Sequence, residues 1–153
     1  MKKGTSVEID EVNLNILRHL QDGSKSFGSI AKALSITENT VRARVKKMKE
    51  MGILSITGLV NPTKIPSLSL AIVGVKLKTM NLVMKGEEIS KLKGVESVAI
   101  TTGRYDLIMT VMLNEEFGLL EFYTHEMSKV SDVLSTETFI AYTSFNLGIP
   151  YIL

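Results

Sequence analysis

The chain has 153 residues, of which 44% are hydrophobic and 22% charged, and it contains three prolines and no cysteine or tryptophan. This composition excludes a disordered chain, a collagen-like repeat, a disulfide scaffold, a cysteine nucleophile and a thiolate metal site. The longest notable apolar run, Leu70 to Val75, is strand-sized and falls short of the roughly 18 residues that cross a bilayer. We therefore expect a soluble, cytoplasmic protein without a signal peptide or membrane partner.

The net charge of +2 conceals an uneven distribution along the chain. Residues 1–60 contain ten Lys and Arg against six Asp and Glu, whereas residues 61–153 contain eight against ten. A basic smaller part joined to a mildly acidic larger part favours a polyanion-binding module attached to a domain with another task.

Three short amphipathic helices are predicted in residues 1–60, where Asp10, Ser26 and Thr37 are candidate N-caps. Apolar residues recur at helical spacing in the three segments: Ile9, Val12, Ile16, Leu17 and Leu20; Phe27, Ile30, Ala31 and Leu34; Val41, Val45 and Met48. Gly52 is a suitable left-handed residue to end the third helix. Three helices joined by such tight turns form a helix-turn-helix unit, which an extended wing over residues 53–60 follows.

A connector over residues 61–68 leads to a second domain at residues 69–153. Strands are predicted over 70–78, 95–102, 107–113 and 133–142, and helices over 81–92 and 114–129, with Asn81 and Asn114 as their caps. The order β-α-β-β-α-β predicts a ferredoxin-like domain, in which two helices cover one face of a four-stranded antiparallel sheet. The fold class is thus α+β, and residues 143–153 form an apolar tail.

Both faces of the strand at residues 107–113 are apolar. Leu107, Met109, Val111 and Leu113 share one face, while Ile108 and Met112 share the other. Two helices can cover only one side of the sheet, so we expect the second side to pack against another protomer. Phe139, Ile140 and the tail from Ile149 to Leu153 could join this homodimer interface.

The third helix carries a polar and basic face opposite its core stripe. Small polar residues come first and cations follow, an order that suits base edges near the helix N-terminus and phosphates further along. The alternative is a solvated basic helix surface, which the two preceding helices disfavour. The predicted DNA-binding residues are Thr37, Asn39, Thr40, Arg42, Ala43, Lys46 and Lys47.

The turn Gly103-Arg104-Tyr105-Asp106 separates the second and third predicted strands. Alone it is compatible with an ordinary turn in which Asp106 bonds local backbone. His19 and His125 lie about a hundred residues apart without a third ligand, so we predict no metal site. No serine has a neighbouring base that would activate it, so we expect neither catalysis nor a cofactor.

The order of these parts resembles the Lrp/AsnC family of transcription regulators over essentially the whole chain. The helix-turn-helix resemblance is carried by Ile9-Asp10-Glu11-Val12, by Ser26-Phe27 with Ile30-Ala31, and by the run from Val41 to Met48. The family's ligand-sensing domain is resembled by Val73-Gly74-Val75, by residues 94–98, by the hairpin at residues 102–107 and by Thr136-Glu137-Thr138. Asn13, Ser35, Glu38 and Asp132 depart from the residues usual in the family, namely aspartate, glycine, proline and glycine.

The resemblance implies a DNA-binding regulator that assembles as a homodimer and further into tetramers or octamers. It also implies a small effector, an amino acid, at the hairpin Thr101-Thr102-Gly103-Arg104-Tyr105-Asp106. The residue types there are compatible with a zwitterion, because Asp106 can receive an ammonium and Arg104 a carboxylate. The competing interpretations are an enzyme similar to siroheme decarboxylases, which share this architecture, and an RNA- or protein-binding adaptor.

Overall fold

The structure is a computed structural model that describes residues 9–151. Its internal contacts divide the chain into two units between Ile56 and Thr57. The first unit contains α1 (Glu11–Leu20), α2 (Phe27–Leu34) and α3 (Glu38–Glu50). The three predicted helices are therefore present, and the predictions for residues 1–8, 152 and 153 lie outside the described residues.

Side-chain caps begin all three helices of the first unit. Asp10 accepts a hydrogen bond from the Asn13 N–H at 2.7 Å, and the Ser26 and Thr37 hydroxyls accept from backbone N–H groups three residues ahead. Each cap satisfies a donor that the helix geometry leaves free. Ser35 ends α2 in the left-handed region at φ 55°, a conformation that costs a non-glycine residue on the order of 1 kcal/mol.

The apolar stripes of the three helices meet in one small core. Ile16, Ile30 and Val41 are fully buried there, one from each helix, with Val45 and Met48 beside them. This packing fixes the rotation of α3 and leaves its opposite face in solvent.

The second unit is built on a four-stranded antiparallel sheet. Its strands are β2 (Ser69–Leu77), β3 (Val95–Ile100), β4 (Leu107–Leu113) and β5 (Val133–Ala141), in the spatial order β3-β4-β2-β5. Helix α4 (Leu82–Ile89) joins β2 to β3, and a helical segment over residues 119–129 joins β4 to β5. This order is that of a ferredoxin-like sheet, so the predicted α+β class and topology are confirmed.

One face of the sheet forms the main core of the second unit. Alternate residues of β2 and β4 are buried against the helices, and Phe122 and Ile89 are fully buried among them. The residues of β2 and β4 in this core are Ala71, Val73, Val75, Leu77, Leu107, Met109, Val111 and Leu113, and β3 adds Val95. The predicted division of the β4 side chains between two apolar faces is therefore confirmed.

Two predicted helix caps differ from the structure. The Asn114 side chain accepts from the Glu116 and Phe117 N–H groups at 3.0 and 2.7 Å and holds a turn, so the helix begins only at Leu119. It then passes through a π-helical turn, Phe122–Glu126, and ends as the 3-10 turn Met127–Lys129. Asn81 occupies the cap position of α4 without a side-chain cap bond, and α4 ends at Ile89 rather than at residue 92.

The end of the predicted wing, residues 57–60, lies with the predicted tail in the second unit. Strand β1 (Leu59–Val60) pairs antiparallel with β6 (Ile149–Pro150), and in this pair Leu59 lies opposite Pro150 and Val60 opposite Ile149. Residues 57–60, which the sequence assigns to the first domain, therefore fall in the second unit. Ile149 is buried on its own chain, with Leu68, Leu70 and Met112, and so does not remain free for a partner.

Candidate nucleic-acid interface and ligand site

The solvent face of α3 carries most of the residues predicted to bind DNA. Asn39, Arg42, Ala43, Lys46 and Lys47 are all exposed. They line one side of a helix whose other side is held by the core, so they form a continuous convex surface. Such a surface suits the major groove, which admits an α-helix.

The two threonines at the start of α3 serve the helix itself. Their hydroxyl oxygens, of Thr37 and Thr40, lie 2.8 Å apart in a mutual hydrogen bond, and Thr40 is half-buried. Both are brought to the same helix end as Asn39, but their hydroxyls are already engaged in the cap.

Arg42 is held from two sides although it is largely exposed. Its Nη2 donates to Glu38 Oε1 at 2.7 Å, one helical turn earlier. Its Cζ lies 5.5 Å from the ring centroid of Phe27 in α2, at the distance of a cation–π contact. The guanidinium thus has a preferred place at the N-terminal half of the exposed face.

Arg44 is a residue that the sequence reasoning did not select. Its Nη1 donates to Asp10 Oδ2 at 2.5 Å and to Asn13 Oδ1 at 3.1 Å, joining α3 to the start of α1. The Arg44 hydrogen bond, together with the Asn13 N–H, lowers the pKa of Asp10 below its usual value. Arg44 therefore positions α3, and the only signal for it was a cation on the flank of the core stripe.

The cations in the second half of α3 are less restrained. Lys46 lies 3.8 Å from Glu50 in an exposed i,i+4 pair, which contributes little to stability. Lys47 and Lys49 are exposed as well. Long, solvated cations of this kind contact phosphates without requiring an exact geometry.

In the second unit, the predicted ligand hairpin folds back over the sheet. The ring of Tyr105 lies against Gly74 of β2 so closely that a Cβ built on Gly74 would lie 2.6 Å from the ring. The Tyr105 hydroxyl donates to Glu137 of β5, and Arg104 Nη2 lies 3.1 Å from the same carboxylate. Gly103 has φ 125° with open space beside its Cα.

Asp106 ties the other end of the hairpin to β2. Its Oδ2 accepts from the Leu77 N–H at 2.8 Å, and its Oδ1 lies 3.9 Å from Lys76 Nζ. The Thr101 hydroxyl donates to the Tyr105 carbonyl at 2.8 Å. Thr102 is exposed at the tip of the same turn.

The hairpin therefore brings together two cations and two carboxylates. Sequence reasoning selected Arg104 and Asp106 but missed their partners Glu137 and Lys76. Only the register, which places Glu137 opposite Gly74, brings these groups to one place. A ligand with both charges could exchange with the two internal ion pairs without leaving a charge uncompensated.

The sheet face away from the helices is partly open. At one end, Leu70 and Met112 are covered by the chain's own residues. In the middle, Ile72, Ile108 and Phe139 are 38, 37 and 48% exposed. The sequence predicts that Ile140 joins Phe139 in the homodimer interface. Because successive residues of a strand point to opposite faces, Ile140 lies on the other side of the sheet from Phe139, and this prediction is wrong.

Neither a metal-binding cluster nor a membrane-spanning helix is found among residues 9–151. This part of the chain has no group of three His, Cys, Asp or Glu side chains placed to hold a metal ion. None of its helices has the length and apolar character needed to cross a membrane.

Two family models match the chain, one in each unit. Residues 9–49 match the AsnC-type helix-turn-helix domain, and residues 70–147 match the Lrp/AsnC ligand binding domain. An uncharacterized HTH-type transcriptional regulator of Pyrococcus furiosus is 35% identical over 86% of this chain and 90% of its own length.

Solved structures share the fold. That of E. coli AsnC covers 90% of this chain and 94% of its own, with a TM-score of 0.65 and 24% identity. A complex of the transcriptional regulator NMB0573 of Neisseria meningitidis with L-Met covers 88% of this chain and 90% of its own, with a TM-score of 0.65 and 16% identity.

Proposed function

This chain belongs to the Lrp/AsnC family and is a transcription regulator with a DNA-binding helix-turn-helix domain and a ligand-binding domain, and we propose that α3 reads DNA sequence directly. The observation that carries the proposal is the exposed face of α3, where polar and basic side chains are presented on a buried three-helix core. An exposed α3 can enter the major groove with its N-terminal half at the base edges.

The two halves of this face have different tasks. Asn39, Arg42 and Ala43, with Thr40 beside them, read the bases, because the first turns of a recognition helix reach the groove floor. Lys46 and Lys47 anchor phosphates further along. Thr37 caps the helix at the DNA-facing end and adds a contact there.

Binding to duplexes at several salt concentrations tests this division. Arg42→Ala should relax specificity at one base pair by about 1–3 kcal/mol, whereas Lys47→Ala should weaken binding to all sequences alike and lower the salt slope by about one. The proposed helix phase is wrong if Lys47→Ala changes the preferred sequence and Arg42→Ala does not.

The effector proposed for the second unit is an amino acid bound at residues 101–106. Its carboxylate would take the place of Glu137 at Arg104, and its ammonium would lie between Glu137 and Asp106. The turn at Gly103 leaves backbone open to a ligand, since nothing lies within 4 Å of where its Cβ would be. The L-Met complex of a protein with this fold supports an amino acid as the class of ligand.

A thermal-shift screen of the twenty amino acids tests the effector site. A ligand that raises the Tm of the wild type should lose its effect in Asp106→Ala. Because Asp106 also holds the Leu77 N–H, Asp106→Asn is the matched variant: it keeps an acceptor for that bond and removes the charge. Equal stabilisation of the wild type and both variants would place the ligand elsewhere.

We further propose that a second copy of the chain covers the open sheet face and that dimers assemble into tetramers or octamers. Ile72, Ile108 and Phe139 form an apolar strip that a partner would bury. A dimer presents two α3 helices to a palindromic site whose half-sites lie about one helical turn apart, or a multiple of it. An effector that binds one assembly more tightly shifts the equilibrium toward it.

Analytical ultracentrifugation of Phe139→Asp tests the assembly. This variant should sediment as a smaller species than the wild type, while Ile140→Asp, which places the same charge at an exposed position on the opposite face of the same strand, serves as the control. Identical sedimentation of the wild type and Phe139→Asp would remove this face from the proposed interface.

A further inference from the structure

Glu38 is the first residue of α3, and its carboxylate lies close to the first turn of α2. Its Oε1 accepts the hydrogen bond from Arg42 Nη2 at 2.7 Å. Its Oε2 lies beside Gly28 in the first turn of α2, where a Cβ on that glycine would approach the oxygen to 3.1 Å. The start of a helix carries partial positive charge, so both neighbours of this carboxylate are favourable to it.

The Glu38 carboxylate is one side of a clamp on Arg42. The other side is the Phe27 ring, 5.5 Å from the guanidinium carbon. The side chain of Arg42 is 62% exposed and that of Glu38 is 50% exposed. The clamp therefore lies at the surface of α3 that faces a ligand. The contact with Glu38 occupies one of five guanidinium N–H donors, which leaves a fork for a base.

The clamp has two consequences for a side chain that reads DNA. An arginine already held in place loses less side-chain entropy when it binds. The carboxylate also repels phosphates on its side of the helix, so the guanidinium is directed to the base edges instead of the backbone. Guanine presents two acceptors in the major groove that an arginine fork recognises.

We propose that Glu38 is a positioning residue that sets the base preference of Arg42. This inference rests on the proposed reading of DNA by α3 and adds a residue that need not touch the DNA. The base read through Arg42 is a guanine, and the discrimination against other bases at that position depends on the carboxylate of Glu38.

The test is selection from a pool of random DNA duplexes by wild type, Glu38→Gln and Glu50→Gln, followed by measured Kd values for the selected site and its single-base variants. Glu50→Gln is the matched control, because it removes the same charge from α3 and from an exposed i,i+4 pair with Lys46. Both variants should bind all duplexes more tightly. Only Glu38→Gln should lose discrimination, by about two- to fivefold, and only at one guanine position.

A double-mutant cycle separates positioning from a general effect on the helix. In the Arg42→Ala background, Glu38→Gln should no longer change discrimination at that position, although it still raises affinity overall. Circular dichroism melting of each variant shows whether the fold is kept. Equal loss of discrimination in Glu38→Gln and Glu50→Gln, or a loss that persists in the Arg42→Ala background, would overturn the role of Glu38.

The outcomes also separate this inference from the proposed function. A wild type that selects no sequence contradicts the reading of DNA by α3 and the role of Glu38 with it. A wild type that selects a sequence, with Glu38→Gln selecting it equally well, contradicts the role of Glu38 alone.

Discussion

Replacing Gly74 by alanine tests how the hairpin is seated on the sheet. The new Cβ would lie 2.6, 2.7 and 2.8 Å from three atoms of the Tyr105 ring. Carbon atoms in contact prefer about 3.5–4.0 Å, so the ring must move by roughly 1 Å. This displacement also strains the hydrogen bond from Tyr105 to Glu137.

The expected net effect of Gly74→Ala is destabilisation by about 1–3 kcal/mol. Overpacking typically costs about 1–3 kcal/mol, and a weakened hydrogen bond adds about 0.5–1.5 kcal/mol. Relief of the entropic cost of glycine in a strand returns about 0.5–1 kcal/mol. In a domain the size of the second unit, Thr57–Leu153, each kcal/mol of lost stability lowers Tm by about 4–8 °C.

Urea and thermal unfolding followed by circular dichroism measure this cost. Gly86→Ala is the control, because its Cβ would meet other atoms only at 3.8 Å, and alanine in that helix should stabilise by about 0.5–1 kcal/mol. Adding Tyr105→Ala should abolish the cost of Gly74→Ala, since the ring is then absent. A cost that is the same with and without the Tyr105 ring would show that contact with this ring does not cause it.

Three further predictions concern single side chains. Burial raises the pKa of Glu96, one of whose oxygens is buried without a hydrogen-bond partner among residues 9–151, so Glu96→Gln should raise Tm near neutral pH by a margin that shrinks as pH falls toward 4.5; a constant margin would contradict it. Because Arg44 lowers the pKa of Asp10, the wild type should have a higher free energy of unfolding than Asp10→Ala. This difference should have its full value above about pH 4 and decline below it, as urea unfolding at a series of pH values measures. Gly28→Ala should raise the free energy of unfolding by up to about 1 kcal/mol through helix propensity, because the half-exposed Glu38 carboxylate can move aside from the new Cβ; a lower Tm would contradict this.

The helix-turn-helix could be predicted from sequence because its signals are local. Asp10, Ser26 and Thr37 each accept a hydrogen bond from an N–H group only three residues ahead, and the stripe from Val41 to Met48 defines the buried side of α3 without knowledge of any distant residue. The exposed face of α3 follows directly from that stripe.

Local signals failed where one side chain has two uses. Asn114 can cap a helix or hold a turn, and the bonds to Glu116 and Phe117 N–H groups select the turn.

The pairing of Leu59–Val60 with Ile149–Pro150 joins segments about ninety residues apart, and neither segment carries a signal for the other.

The ligand hairpin was located by sequence, but its electrostatics were not. The sequence predicts that Arg104 and Asp106 meet the charges of a ligand, whereas each has a partner in the fold, Glu137 and Lys76. These partners depend on strand register, which places β5 beside β2, and no residue near the hairpin in sequence indicates it. An effector at this site must compete with both ion pairs.

Fluorescence anisotropy titration of a selected duplex and a scrambled duplex of equal length tests whether α3 binds DNA by sequence. The selected duplex should bind at least about a thousandfold more tightly than the scrambled one, and log K should fall steeply and linearly with log salt concentration. Equal affinity for the two duplexes, or affinity that does not change with salt, would contradict this expectation.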